Sequence, residues 1–146
     1  MTAAVAERAS LADVIATSPA RPVGDEVYVL HYDQRPKSVA GDFAIIDDGR
    51  ETTVVTSSLF RITEARRTDR GMEGPFAAIR LEISDSFGAD GFIATATGAI
   101  AAAGIGSYLL STFSYDYLFV APSRMSDALA ALAGAGFPVA YSPSIR

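Results

Sequence analysis

An α+β fold is predicted for this chain, an antiparallel sheet with helices on one face, from three features of its second half. Ala77, Ile79, Leu81 and Ile83 alternate with Phe76, Ala78, Arg80 and Glu82, the period of a strand with one core face. Ile93, Ala96, Ile100 and Ala103 then recur at helical spacing from Gly91, and Gly104 supplies the stop. Two strands at 107–112 and 115–120, a helix opened by Pro122 and a short strand at 137–141 complete the order β-α-β-β-α-β. In that second helix Met125, Leu129 and Leu132 share a face, and Gly134 with Gly136 ends it. This order is the ferredoxin-like split βαβ arrangement, four antiparallel strands with two helices on one side.

The first half is sparser. Residues 1–22 are alanine-rich and end in SPARP, with Leu11, Val14 and Ile15 on one side of a short helix; the segment is an arm, either disordered or docked. A strand is expected at 27–32, a turn or a single helical turn at 36–41, and strands at 42–47 and 52–57. Asp48-Gly49 lies where a hairpin turn belongs, which also explains the Asp47-Asp48 pair without a metal. From 59 to 74 the chain is charged and irregular; its four arginines are either an anion patch or, the preferred reading, a solvated connector. A faint repeat joins the halves: a displacement of 65 residues lays Asp47, Glu51, Val55 and Ser58 on Thr112, Asp116, Val120 and Ser123. Residues 27–58 therefore read as a degenerate copy of the same unit.

Composition excludes several functions. The chain has 146 residues, a net charge of -5 and 49% hydrophobic residues, so it holds a real core and is a poor nucleic-acid binder. It has no cysteine, which excludes disulfides and thiolate chemistry. One histidine, His31, excludes a His-pair metal site and reads as a half-exposed strand residue. The stretch 91–115 carries no charge over 25 residues, but alanine, glycine, serine and threonine dominate it, which argues for a buried helix and strand over a membrane span. The N-terminus shows no export signal, so the cytoplasm is expected. Gly104-Ile105-Gly106 follows a helix and precedes a strand, the reverse of a phosphate-binding glycine loop. With no nucleophile elbow, no Walker lysine and no carboxylate pair with a base, neither enzyme activity nor a cofactor is expected.

The stretch FIATATGAIAAAGIGSYLLSTFSYDYLFVAPSRMSDALAALAGAGF resembles the C-terminal half of small tandem ACT-domain proteins. The likeness rests on Ala103-Gly104-Ile105, Ser111-Thr112-Phe113, Asp116-Tyr117 and Gly136-Phe137, with VAGDFAIIDDGRETTVVTSS resembling the truncated first module. The loop SDSFGADGF departs from the family, being acidic where many relatives are apolar. The resemblance implies an N-terminal arm at 1–22, a degenerate first module at 23–60, a connector at 61–74 and a second module at 75–146. ACT domains are amino-acid-binding regulatory modules, and the arginine sensors of animal growth signalling share the tandem subtype. Carried over, the ligand site uses Gly88, Asp90, Gly91, Phe92 and Ile93 at the first helix start, Thr112 and Phe113 at the corner, and the carboxylate of Asp116. It also implies a homodimer formed by pairing of sheet edges. The alternative is an interaction subunit that keeps the fold, binds no ligand and docks another protein.

Overall fold

A computed structural model describes residues 9–85 and 90–141. The chain divides into two units, an inserted unit of Gly24–Ala78 and a terminal unit of Met1–Val23 with Ile79–Arg146. These boundaries differ from those read in the sequence, because two long strands, β1 (Ala20–Tyr32) and β4 (Met72–Leu81), contribute to both units.

In the inserted unit the strand order is β2-β3-β1-β4, with β2 at Asp42–Asp47 and β3 at Thr52–Thr56. β3 pairs antiparallel with β1, Tyr28 opposite Thr56 and Tyr32 opposite Thr52, and antiparallel with β2 across a bulge between Asp42 and Ala44. The hairpin at Asp48-Gly49 is as expected: Gly49 has φ +84, the Asp47 carboxylate accepts the Gly49 N–H, and Asp48 accepts those of Arg50 and Glu51. Both carboxylates are engaged in turn geometry. Helix α2, Leu59–Arg67, follows.

The segment 61–74 is thus no irregular connector. Ser58 caps α2 by accepting the Arg61 N–H, and Arg61, Ile62 and Ala65 form its buried face. With arginine on that face, no apolar stripe marks the helix in the sequence. The unit keeps the split βαβ strand order but has a loop at 33–41 in place of the first helix. That loop is held at Gly41, whose φ is +94 and whose carbonyl accepts the Ser57 N–H at 2.9 Å. A Cβ there would lie 2.9 Å from the Ser58 nitrogen, whereas one on Gly49 would meet nothing within 4 Å. Gly41→Ala is expected to cost about 1–3 kcal/mol and Gly49→Ala about 1 kcal/mol; urea unfolding of both variants isolates the clash, and equal losses would dismiss it.

In the terminal unit the order is β1-β4-β6-β5, with α3 at Phe92–Ala102, β5 at Tyr108–Ser111, β6 at Asp116–Val120 and α4 at Met125–Gly134. Both long helices stop in the same way. Gly104 (φ +72) and Gly136 (φ +103) take the left-handed conformation, and the following Ile105 and Phe137 N–H groups reach back to Ile100 and Leu132. Gly136 is therefore the stop for α4, and Gly134 is its last helical residue. The expected last strand at 137–141 is reduced to one parallel bridge, Ala20 with Val139. The start of β1 occupies the sheet position beside β4 that this strand would fill, as the Glu82 N–H bond to the Pro19 carbonyl shows.

Residues 9–22 are docked. Helix α1, Leu11–Ala16, is capped by Ser10 and buries Val14 and Ile15 in the core of Ile79, Leu81, Phe92, Ile100, Leu118, Leu129 and Phe137. The repeat is real as architecture: a displacement of 65 residues carries β2, β3 and α2 onto β5, β6 and α4. Both units are ferredoxin-like, the first a degenerate copy that lacks one helix. No helix among the described residues is long and apolar enough to cross a membrane.

Candidate functional site

The terminal unit brings two parts of the sequence-derived site to one end of its sheet. β4 ends at Leu81 and α3 starts at Phe92, so the helix N-terminus lies at the end of the sheet where the β5–β6 turn stands. Strand alternation then sets the face. Leu118 and Val120 pack into the same core as Ala96 and Ile100 of α3, so Asp116, two and four residues before them, shares the helix-bearing face. Ser111 is opposite Asp116 in the ladder, and its hydroxyl donates to the Asp116 carboxylate.

The remaining expectations are met unevenly. Gly88 lies outside the described residues. Asp90 and Gly91 are exposed at the start of α3, and Gly91 caps it with φ +88 and no side-chain hydrogen bond. Gly91 accepts the Thr95 N–H and hydroxyl on its carbonyl, and Leu11 lies 3.3 Å from where a Cβ would stand. Phe92 is a core residue, 2% exposed, with its ring edge-on to Phe137 at 5.4 Å. Ile93 is half-buried against the same core. The Phe92 side chain is therefore part of the core.

Thr112, expected at the ligand corner, is bonded within the turn and not to Asp116. Thr112 closes the turn, its N–H and hydroxyl both reaching the Tyr115 carbonyl at 2.8 and 3.1 Å. Side chains alternate along β5, so the register sets Ser111, not Thr112, across from Asp116. Phe113 stands fully exposed at the tip of the turn.

A polar group that sequence reasoning missed lies on the opposite sheet face. The Glu82 carboxylate accepts from Arg21 at 2.8 Å and from Arg80 at 2.8 and 3.1 Å, and Arg80 stacks over Tyr115 at 5.1 Å. Arg21 and Arg80 hold Glu82 below the usual carboxylate range, and Glu82 raises Arg80. The i, i+2 spacing of Arg80 and Glu82 between buried Ile79 and Leu81 was the available signal. In the inserted unit His31 is exposed, with its Nε2 3.1 Å from Glu51.

The fold has solved counterparts. An Agrobacterium tumefaciens protein matches 88% of this chain and 96% of its own with a TM-score of 0.72 at 16% identity. A Vibrio cholerae protein of unknown function, described as a possible transport protein, matches 87% and 96% with a TM-score of 0.67 at 17% identity. The ligand-free regulatory subunit of aspartate kinase from Thermus thermophilus matches 83% and 97% with a TM-score of 0.60 at 12% identity. The fold is ACT-like. No family model and no curated protein matches the sequence.

Proposed function

We propose that this ACT-like chain is a non-catalytic regulatory module, of the tandem kind, that binds an amino acid or similar small zwitterion. The observation that carries the reading is Asp116, held by Ser111 on the helix-bearing face at the end of the sheet where α3 starts. An α-ammonium takes the Asp116 carboxylate. An α-carboxylate takes the first backbone N–H groups of α3, which have no side-chain cap among the described residues. Asp90, exposed beside that helix start, disfavours a second negative charge, so the ligand is neutral or basic. Aspartate kinase regulatory domains with this fold support a regulatory role.

A thermal-shift screen with the twenty amino acids tests the reading. A ligand at a hundredfold excess over its dissociation constant adds about 2.7 kcal/mol of apparent stability. Calorimetry on Asp116→Ala should then show roughly thirtyfold weaker binding, with folding stability within about 1 kcal/mol of wild type. Equal affinity would place the ammonium elsewhere. The exposed Phe113 at the turn tip favours a second reading, a protein-docking subunit without a ligand; a screen with no shift for any compound would support it.

A further inference from the structure

We propose that two copies of this chain associate through the solvent-facing side of α2, packed antiparallel about a two-fold axis that passes between Thr63 and Glu64. This goes beyond the ligand reading and uses the inserted unit only. α2 turns Arg61, Ile62 and Ala65 inward, and its outer side carries Leu59, Phe60, Thr63, Glu64 and Arg67 around a shallow depression of about 580 Å³. Leu59 is 78% exposed and Phe60 68%, although both open the helix where a polar residue would serve as well. Phe60, Thr63, Glu64 and Arg67 fall at i, i+3, i+4 and i+7, the stripe with which one helix packs on another.

The stripe is complementary to its own reverse. About an axis between Thr63 and Glu64, Phe60 of one copy faces Arg67 of the other, and Thr63 faces Glu64. Of the four arginines between residues 59 and 74, three are stacked on aromatic rings: Arg61 and Arg70 over Tyr32, and Arg66 over Tyr28. Arg67 alone of the four has no ring, acceptor or ion pair among the described residues. An exposed phenylalanine and an unpaired arginine thus stand at the two ends of one stripe, and a two-fold pair matches each with the other by cation–π contact. The Thr63 hydroxyl meets the Glu64 carboxylate in the middle.

The sheet edges are poorer candidates for the same role. β5 has four residues, and β2 carries a bulge between Asp42 and Ala44, both devices that blunt an edge against pairing.

Sedimentation velocity on the full chain without ligand tests the proposal, so its failure is separate from failure of the ligand screen. Wild type is expected to dimerise at micromolar concentration. Phe60→Arg, which sets arginine against Arg67 of the other copy, should raise the dissociation constant by about thirtyfold or more, since both copies lose the contact. The double change Phe60→Arg/Arg67→Phe restores the pair in swapped order and should recover association. Because the chain has no cysteine, Thr63→Cys should form an interchain disulfide on mild oxidation while Leu109→Cys on β5 does not. A monomeric wild type, a Phe60→Arg dimer of unchanged affinity, or trapping by Leu109→Cys alone would overturn the assignment.

Discussion

Phe92→Ala is expected to destabilise the terminal unit by about 3–5 kcal/mol, the cost of truncating a fully buried aromatic ring. The ring meets Phe137 edge-on, at 75° between planes, and Phe137 is the residue that closes the stop of α4. The substitution therefore removes a contact joining the first turn of one helix to the end of the other, as well as apolar area. Phe92→Leu retains most of the volume and should lose less than half as much. Urea unfolding at constant slope measures both. The result also separates two roles for this position. A ring lining the ligand site would leave stability near wild type and change only affinity; a ring in the core does the reverse.

Where sequence periodicity met a simple environment, it located the elements. β2, β3, α3, β5 and β6 all fall within two residues of their expected limits, because each has one apolar face and a turn or glycine at its ends. α4 starts at Met125, three residues after Pro122, because a short 3-10 turn at Pro122–Arg124 precedes it. The failures share a cause: a distant partner decided the local structure. The first half of β1 went unread because Gly24, Asp25 and Glu26 are exposed and break the alternation. The last strand went unread as a bridge because β1, more than a hundred residues upstream, takes its place beside β4. At the candidate site, Asp116 and the α3 start were legible from the corner motif and Gly91. The register that gives Asp116 to Ser111 instead of Thr112 was not, because a turn of this length permits either until the ladder is fixed.

Helix α2 is the largest of these failures, and its buried arginine carries the second large effect. Arg61→Ala is expected to cost about 3–5 kcal/mol, because it leaves the Asp42 carboxylate buried without its counter-charge. The two side chains are 3% and 5% exposed and joined by two bonds of 2.7 Å, Nε to Oδ1 and Nη2 to Oδ2. The pair makes further bonds at every side-chain nitrogen and oxygen but Nε. Arg61 donates also to the Tyr32 hydroxyl and the Lys37 carbonyl, and Asp42 accepts the Val39 N–H and the Thr56 hydroxyl. Lys37 and Val39 belong to the loop that replaces the missing helix, so this network anchors the loop where the complete unit would have packed a helix. Burial pushes the Asp42 pKa up, but Arg61, Val39 and Thr56 together hold it below the ordinary value. A carboxylate with a depressed folded pKa contributes stability above its unfolded pKa of about 3.9 and loses it as pH falls through the folded value. Stability of the wild type should thus decline with acid below about pH 4, and Asp42→Asn should show a shallower decline. Replacing both partners, as in Asp42→Leu/Arg61→Met, removes the two charges together and should cost less than either single alanine change. If the double variant is instead as unstable as the sum of the singles, the pair is not coupled, and the loop is held by its backbone alone.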